Sequence, residues 1–487
     1  RTRIMANEVT KLNGIAIANI TDLNGITDAN LAKINSQEFT GSTAFQKISF
    51  TTVDSGGSAI GDAGEWNTAR SYGSSIGFDP DTNQFILMFG DTLNSERPTI
   101  RIGTVSGTTL TFGNKIEVEA HNNSNTTGCY YDTAKDRLIT IWMSTAVGRN
   151  GIYAKAFKLN SSRGVDGTGA LATVDTASSG YNQTNAGNFG AMNPNDENGN
   201  SMVDVCYEDG DDSSHNYART VMLDDHTNAD DDDSCSLSVG SAAEFSTDSS
   251  NRWGIANDGT KTCIVYQVGT EVRTRTLQHF TQAISFGSED SLLLGNMAMS
   301  FADAYGGTNM IYDPDRSCFH VAIRYTGTTG GNATNNNVYI LKVTLGGSDN
   351  KVASFQSIGN PANQLTNTAE ISSGTYTNNV TGGGLIYSHA RNRIISHGSA
   401  NAGHSPNNAT INAEVHSYNG STYTSGGSSN VIDIETRNGQ PRYVGTLHVD
   451  ASAIFGNVVP IMSVLYGGTN DGTTFIHGID AGDADIN

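Results

Sequence analysis

Six times along this chain an apolar strand runs into a short polar turn and returns as a second apolar strand. The copies are "IGFDPDTNQFILMF" (76–89), "CYYDTAKDRLITIW" (129–142), "GAMNPNDENGNSMVDVCY" (190–207), "WGIANDGTKTCIVY" (253–266), "MIYDPDRSCFHVAIRY" (310–325) and "LIYSHARNRIISHG" (385–398). Asp, Asn and Gly at the turns accept backbone hydrogen bonds or adopt left-handed dihedrals cheaply, so each copy reads as a β-hairpin. A third strand follows in most copies, as in "PTIRIGTVSG" (98–107), "GIYAKAFKLN" (151–160) and "EVRTRTLQHF" (271–280). Its alternation of apolar and polar residues predicts exposure on one face. The continuously apolar run Phe85-Ile86-Leu87-Met88-Phe89 predicts burial on both.

The hairpins recur at steps of 53, 61, 64, 56 and 75 residues, measured between Asp79, Asp132, Asn193, Asn257, Asp313 and Ser388. A period of this size, with three or four strands per unit, is that of a β-propeller blade. "RYVGTLHV", "VVPIMSVLYGG" and "TTFIHGI" supply a seventh, more degenerate unit. The expectation is an all-β, seven-bladed propeller over residues 43–487, with the long last step absorbed by "GTTGGNATNNN" or by the segment after Asn350. A parallel β-helix would need shorter and stricter repeats. The strand pattern "AFQKISFTTV" (44–53) lies outside the count and is placed to complete the last blade, closing the ring and removing its free sheet edges.

Composition narrows the partners. A formal net charge of −21 repels phosphate backbones and anionic lipid, so neither nucleic acid nor membrane insertion is expected. No apolar run approaches the roughly 20 residues that span a bilayer. Cys129, Cys206, Cys235, Cys263 and Cys318 form no CxxC pair and number five, a poor disulfide or zinc framework. All but Cys235 sit in or beside apolar strands as small core residues, which suits folding in a reducing compartment. No cleavable leader is expected, and Met5-Ala6-Asn7 reads as a translational start, the alternative being a start further upstream.

"FDPDTNQF" and "YDPDRSCF" place Asp79/Asp81 and Asp313/Asp315 like calcium ligands. Neither continues into the acidic residue that ends a calcium loop, and Asp-Pro-Asp is a type I turn in its own right. The turn is therefore the expectation, with no cofactor and Ca2+ as the alternative. "YEDGDDSSHNY" (207–217) and "DDHTNADDDDS" (224–234) are solvated loops or divalent-cation sites, with Asp230, Asp231, Asp232 and Asp233 the crowded candidates. No G-x-S-x-G, HExxH or P-loop occurs, and the Asp-box of sialidase-type propellers is missing its Trp in "ANDGTKTC". No enzyme is expected. The long polar loops "TGTTGGNATNNN" (326–337), "SANAGHSPNNAT" (399–410) and "NGSTYTSGGSSN" (419–430) are the binding surface such a scaffold would offer. His215, Tyr217, His404 and Tyr423 are its candidate contact residues.

Ahead of the propeller, residues 1–42 carry an 11-residue repeat: Leu12-Asn13-Gly14-Ile15, Leu23-Asn24-Gly25-Ile26 and Ile34-Asn35-Ser36. Each unit is too short for a core, so Leu12, Ile15, Ile17, Ile20, Leu23, Ile26, Leu31 and Ile34 gain by packing on copies of themselves or on another protein. The stretch "NGIAIANI…NGITDANLAKINSQEF" resembles the N-terminal segment of structural proteins from tailed, particularly marine, bacteriophages, with Ser36 where those proteins carry Gly. The resemblance covers about thirty residues. It implies a virion protein assembled in the host cytoplasm: a tail fibre or receptor-binding protein, docked to other virion proteins through its N-terminus. It further implies recognition of host-surface glycan or protein and a homo-oligomer, a trimer in fibres of this kind. The alternatives are a capsid-associated decoration protein and a glycan-cleaving tailspike.

Overall fold

A computed structural model describes the three repeat units within 11–38 and residues 44–482 apart from 177–189, 194–201, 224–234, 300–309, 326–337, 347–351, 357–382, 401–408, 426–430, 447–450, 467–472 and some shorter stretches. Seven five-stranded sheets arranged in a ring form a seven-bladed β-propeller. Among the described residues the one α-helix is the short Ser452–Phe455. In blade 1, strands Ser71–Asp79, Gln84–Asp91, Arg97–Ser106 and Thr109–Glu117 follow one another as an antiparallel meander. Blades 2 to 6 repeat this order over 124–176, 190–246, 253–293, 297–356 and 383–437. First strands of successive blades lie against one another around most of the ring, and between blades 6 and 7 the first strand of blade 7 lies against the second and third strands of blade 6.

Blade 7 joins both ends of the ring. Its strands Gln440–Thr446, Val458–Tyr466 and Thr474–Asp480 are completed by the earlier strand Gln46–Ser49, antiparallel with Ser49 opposite His477 and Gln46 opposite Asp480. The next strand, Thr51–Asp54, crosses to the outer edge of blade 1 and runs parallel to Thr109–Phe112. One short segment thus stitches the last blade to the first, each of its two strands forming an outer strand of the blade it joins.

Among the described residues the core consists of seven buried clusters, one in each seam between adjacent blades. Strand Gln84–Asp91 is buried along its whole length because a blade packs on each of its faces. The third strands divide: residues 271–276 alternate between part-exposed and buried as expected, while others are more fully buried. Gly151–Asn160 is mostly buried, since the outermost layer, here split into Gly164–Thr168 and Ala172–Thr176, covers it and neighbouring blades close over both faces. All five cysteines are buried and free, Cys235 included. At Gly77 blades 1 and 2 pack too closely for a side chain: a Cβ there would stand 2.7 Å from Cys129 Sγ.

Three separate hairpins account for the 11-residue repeat. Lys11–Leu12 pairs with Ile15–Ala16, Asp22–Leu23 with Ile26–Thr27, and Lys33–Ile34 with Gln37–Glu38. Each leaves two residues between its strands, and Asn-Gly, Asn-Gly and Asn-Ser suit a two-residue hairpin loop. Leu12, Ile15, Leu23, Ile26 and Ile34 fall on the paired positions, while Ile17, Ile20 and Leu31 lie outside the described residues.

Candidate functional sites

Antiparallel order gives the propeller two faces. One, the turn face, carries the loops between first and second strands; the other, the loop face, carries those between second and third. On the turn face Asx turns fix the hairpins of blades 1, 2, 4 and 5. Asp79 Oδ1 accepts from the amides of Asp81 (2.9 Å) and Thr82 (3.2 Å), and Asp313 Oδ1 from those of Asp315 (3.1 Å) and Arg316 (3.2 Å). Asn83, Asp136, Ser317 and Asn392 close their turns at positive φ, between 48° and 55°. Asp-Pro-Asp therefore serves the turn, by the chemistry its sequence offers.

The seam between blades 5 and 6 holds a buried polar chain. The Tyr423 hydroxyl lies 2.6 Å from His320 Nδ1, and His320 Nε2 lies 3.2 Å from Asp313 Oδ2. Burial pushes His320 below its ordinary value and so keeps it neutral. A neutral ring that donates through Nε2 to the carboxylate must accept the tyrosine proton at Nδ1. Burial pushes the Asp313 carboxyl up, but the His320 hydrogen bond and the Arg316 guanidinium outweigh it and hold the group below its ordinary value. Arg316 Nη1 sits 3.1 Å from Asp313 Oδ2 and 2.8 Å from Asn392 Oδ1. This Asp–His–Tyr order could relay a proton, yet Asp313 and His320 are wholly buried, out of reach of a substrate. It clamps two blades. Asp204 plays the same part between blades 3 and 4, bonded to His279 (2.5 Å) and to the Thr262 hydroxyl.

A more accessible cluster stands on the loop face of blade 3. Asp212 lies in the turn before strand His215–Leu223, and Glu244 lies on the outer strand Ala243–Ser246, opposite Tyr217. A β-bulge at Asn216/Tyr217 changes the pairing there. His215 Nδ1 is 3.6 Å from Asp212 Oδ2 and 3.8 Å from Glu244 Oε1, and the Tyr217 hydroxyl donates to Asp212. Beside them the Tyr217 ring stacks on buried Tyr207 at 6.0 Å. Arg219 Nε donates to the Tyr207 hydroxyl at 2.8 Å and Nη2 pairs with Asp175 of blade 2 at 3.2 Å. His215, Glu244 and Asp212 are part-exposed, with 25%, 38% and 52% of their side-chain surfaces accessible.

Of the four residues expected to contact a receptor, the fold unites His215 and Tyr217. Tyr423 is corrected: it is buried, with its hydroxyl committed to His320, because the strand Tyr423–Ser425 packs its ring into the seam. His404 and Asp230 to Asp233 lie outside the described residues. Asp212 and Glu244 were missed as partners of His215. Asp212 is close in sequence, but nothing in sequence joins Glu244 to a turn more than thirty residues away. Among the described residues no helix is long and apolar enough to cross a membrane.

No protein-family model matches the sequence, and no curated protein does. Solved propellers resemble the fold. A protein of Bacteroides uniformis assigned as a 6-phosphogluconolactonase is 10% identical, with 74% of this chain and 87% of that one covered at a TM-score of 0.43. A PL25 ulvan lyase is 7% identical, covering 84% and 95%, also at 0.43. The lectin of Aleuria aurantia is 12% identical, covering 77% and 98%, at 0.33. Likenesses of this order carry no functional inference, and propellers serve enzymes and binding proteins alike.

Proposed function

We propose that this chain is a non-enzymatic structural protein of a bacteriophage particle. It docks through residues 11–38 and presents the propeller as a tail fibre or receptor-binding domain. The observation that carries this reading is the row of three hairpins, each with strands of two residues. A two-stranded hairpin is marginal alone in water, so a row of them has a use where other copies or another protein cover them. The phage-like sequence of the same residues supports a particle as that partner. Support for recognition comes from the loop face of blade 3, where Tyr217, His215 and Arg219 put an aromatic ring and varied hydrogen-bonding groups on a rigid sheet.

An antibody against the propeller, imaged on intact particles, tests the reading. Label at the tail, together with block of adsorption by free full-length chain, is the expected result. Label over the capsid would replace it with a decoration role, and release of reducing ends from host polysaccharide would replace it with a tailspike. Absence of label from particles would end the virion reading altogether.

A further inference from the structure

We infer that Asp212, His215 and Glu244 form a binding site for a transition-metal dication of the zinc type on the loop face of blade 3. Their three donor atoms lie within 4.8 Å of one another and come from three places: a turn, the start of the third strand and the outer strand. His215 Nδ1 is the informative atom. It is shielded from solvent and has no hydrogen-bond partner, although two carboxylate oxygens face it. At 3.6 and 3.8 Å those oxygens stand too far for a hydrogen bond. Two donors bound about 2.1 Å from one tetrahedral zinc are separated by roughly 3.4 Å. The imidazole thus stands within a few tenths of an ångström of the required separation from each carboxylate, and the carboxylates, no more than 4.8 Å apart, are on the exposed side where their side chains can turn onto one ion.

The surroundings agree with a cation. Tyr217 donates to Asp212 and orients it, as groups behind a metal ligand commonly do. Asp209 and Asp211 in the same turn add negative charge. One imidazole with two carboxylates suits zinc rather than calcium, which prefers six to eight oxygens. Exposure of Asp212 and Glu244 leaves coordination positions open to an incoming oxygen or nitrogen donor.

The buried triad Asp313, Cys318 and His320 has no such need, because the Arg316 guanidinium already supplies the countercharge to Asp313. The zinc inference stands apart from the virion reading, since its test uses soluble chain alone.

Titration calorimetry of the full chain with ZnCl2 provides that test. One site is expected, with Kd raised at least about 10-fold by His215→Ala and by Glu244→Gln. Tyr217→Phe should weaken binding about 10-fold while leaving the three ligands in place. Unchanged thermal unfolding of the metal-free variants would establish that they fold. Equal zinc affinity in His215→Ala would overturn the assignment, whether the ion then bound at Asp230–Asp233 or elsewhere. So would an absence of zinc binding, or calcium binding at least as tight as zinc.

Discussion

The seam between blades 1 and 2 and the seam between blades 5 and 6 are built by the same hairpin yet held by different chemistry. Ile86, Met88, Ile100, Ile102, Leu138 and Trp142 fill the first with hydrocarbon and an indole. Into the second the chain puts His320, Tyr423, Lys342, Ser396 and His416 beside Ile340 and Ile394. The turn-face residues correspond one to one: Asp79, Thr82, Tyr131 and Asp136 in the first, Asp313, Arg316, Tyr387 and Asn392 in the second. Tyr131 bonds to Asp136, and Tyr387 to Asn392. Only the second has a guanidinium joining the two turns, Arg316, where the first has Thr82. A repeat therefore fixes the blade's backbone and leaves the glue between blades free to vary.

Removing the largest apolar side chain should hurt most. Trp142→Ala is expected to cost about 3–5 kcal/mol, read as a fall in the denaturant midpoint.

Acid should separate the two seams next. Burial lowers His416, in the polar seam, and His397, which faces blade 7, to about 3 from an ordinary 6.5. Between those values the unfolded chain binds more protons than the folded one. Stability is then complete above pH 6.5 and falls as pH drops toward 3, by up to about 1.4 kcal/mol per pH unit for each histidine. Denaturant titrations at several pH values should show this slope, and His397→Gln with His416→Gln should flatten it. A slope that survives the double variant would place the acid sensitivity elsewhere.

His320→Ala strands Asp313 and Tyr423 without their shared partner and should cost roughly 2–3 kcal/mol. Calorimetric unfolding of this variant beside Tyr423→Phe would tell the histidine's two bonds apart, with the single-bond change costing about 1 kcal/mol.

The smallest effects exchange the guanidinium. Arg316→Thr should lose about 1–2 kcal/mol by removing a charged partner from a buried carboxylate. Thr82→Arg should gain at most about 1 kcal/mol, because the receiving turn is exposed at Asp81 and Asp136. Equal and opposite shifts in midpoint would mean the turns are interchangeable. No gain from Thr82→Arg would mean the apolar seam lacks the geometry to use the ion pair.

Much of the fold was legible because a propeller repeats a local pattern. Hairpin turns, strand order and the count of seven follow from alternation and turn residues that act within a dozen positions. Alternation held for the third strand of blade 4 but misjudged that of blade 2, since it cannot reveal a neighbouring blade closing over the second face. Site residues were legible only in part. His215 and Tyr217 stand out in a polar loop, whereas Tyr423 sits in an equally polar sequence and is buried.

What the chain's order of residues settled was the hairpin, its Asx turn, the seven units and the 11-residue array ahead of them, all products of short-range backbone preference. What only the tertiary structure decided was which side chains meet: Tyr423 with His320 across 103 positions, Glu244 with His215 across a bulge, and the opening strand Gln46–Ser49 with the final strand of the last blade. Glu244 reaches His215 by strand pairing inside blade 3, whereas the other two meetings need neighbouring blades and ring closure, a property of seven twisted sheets packed together that no single repeat contains.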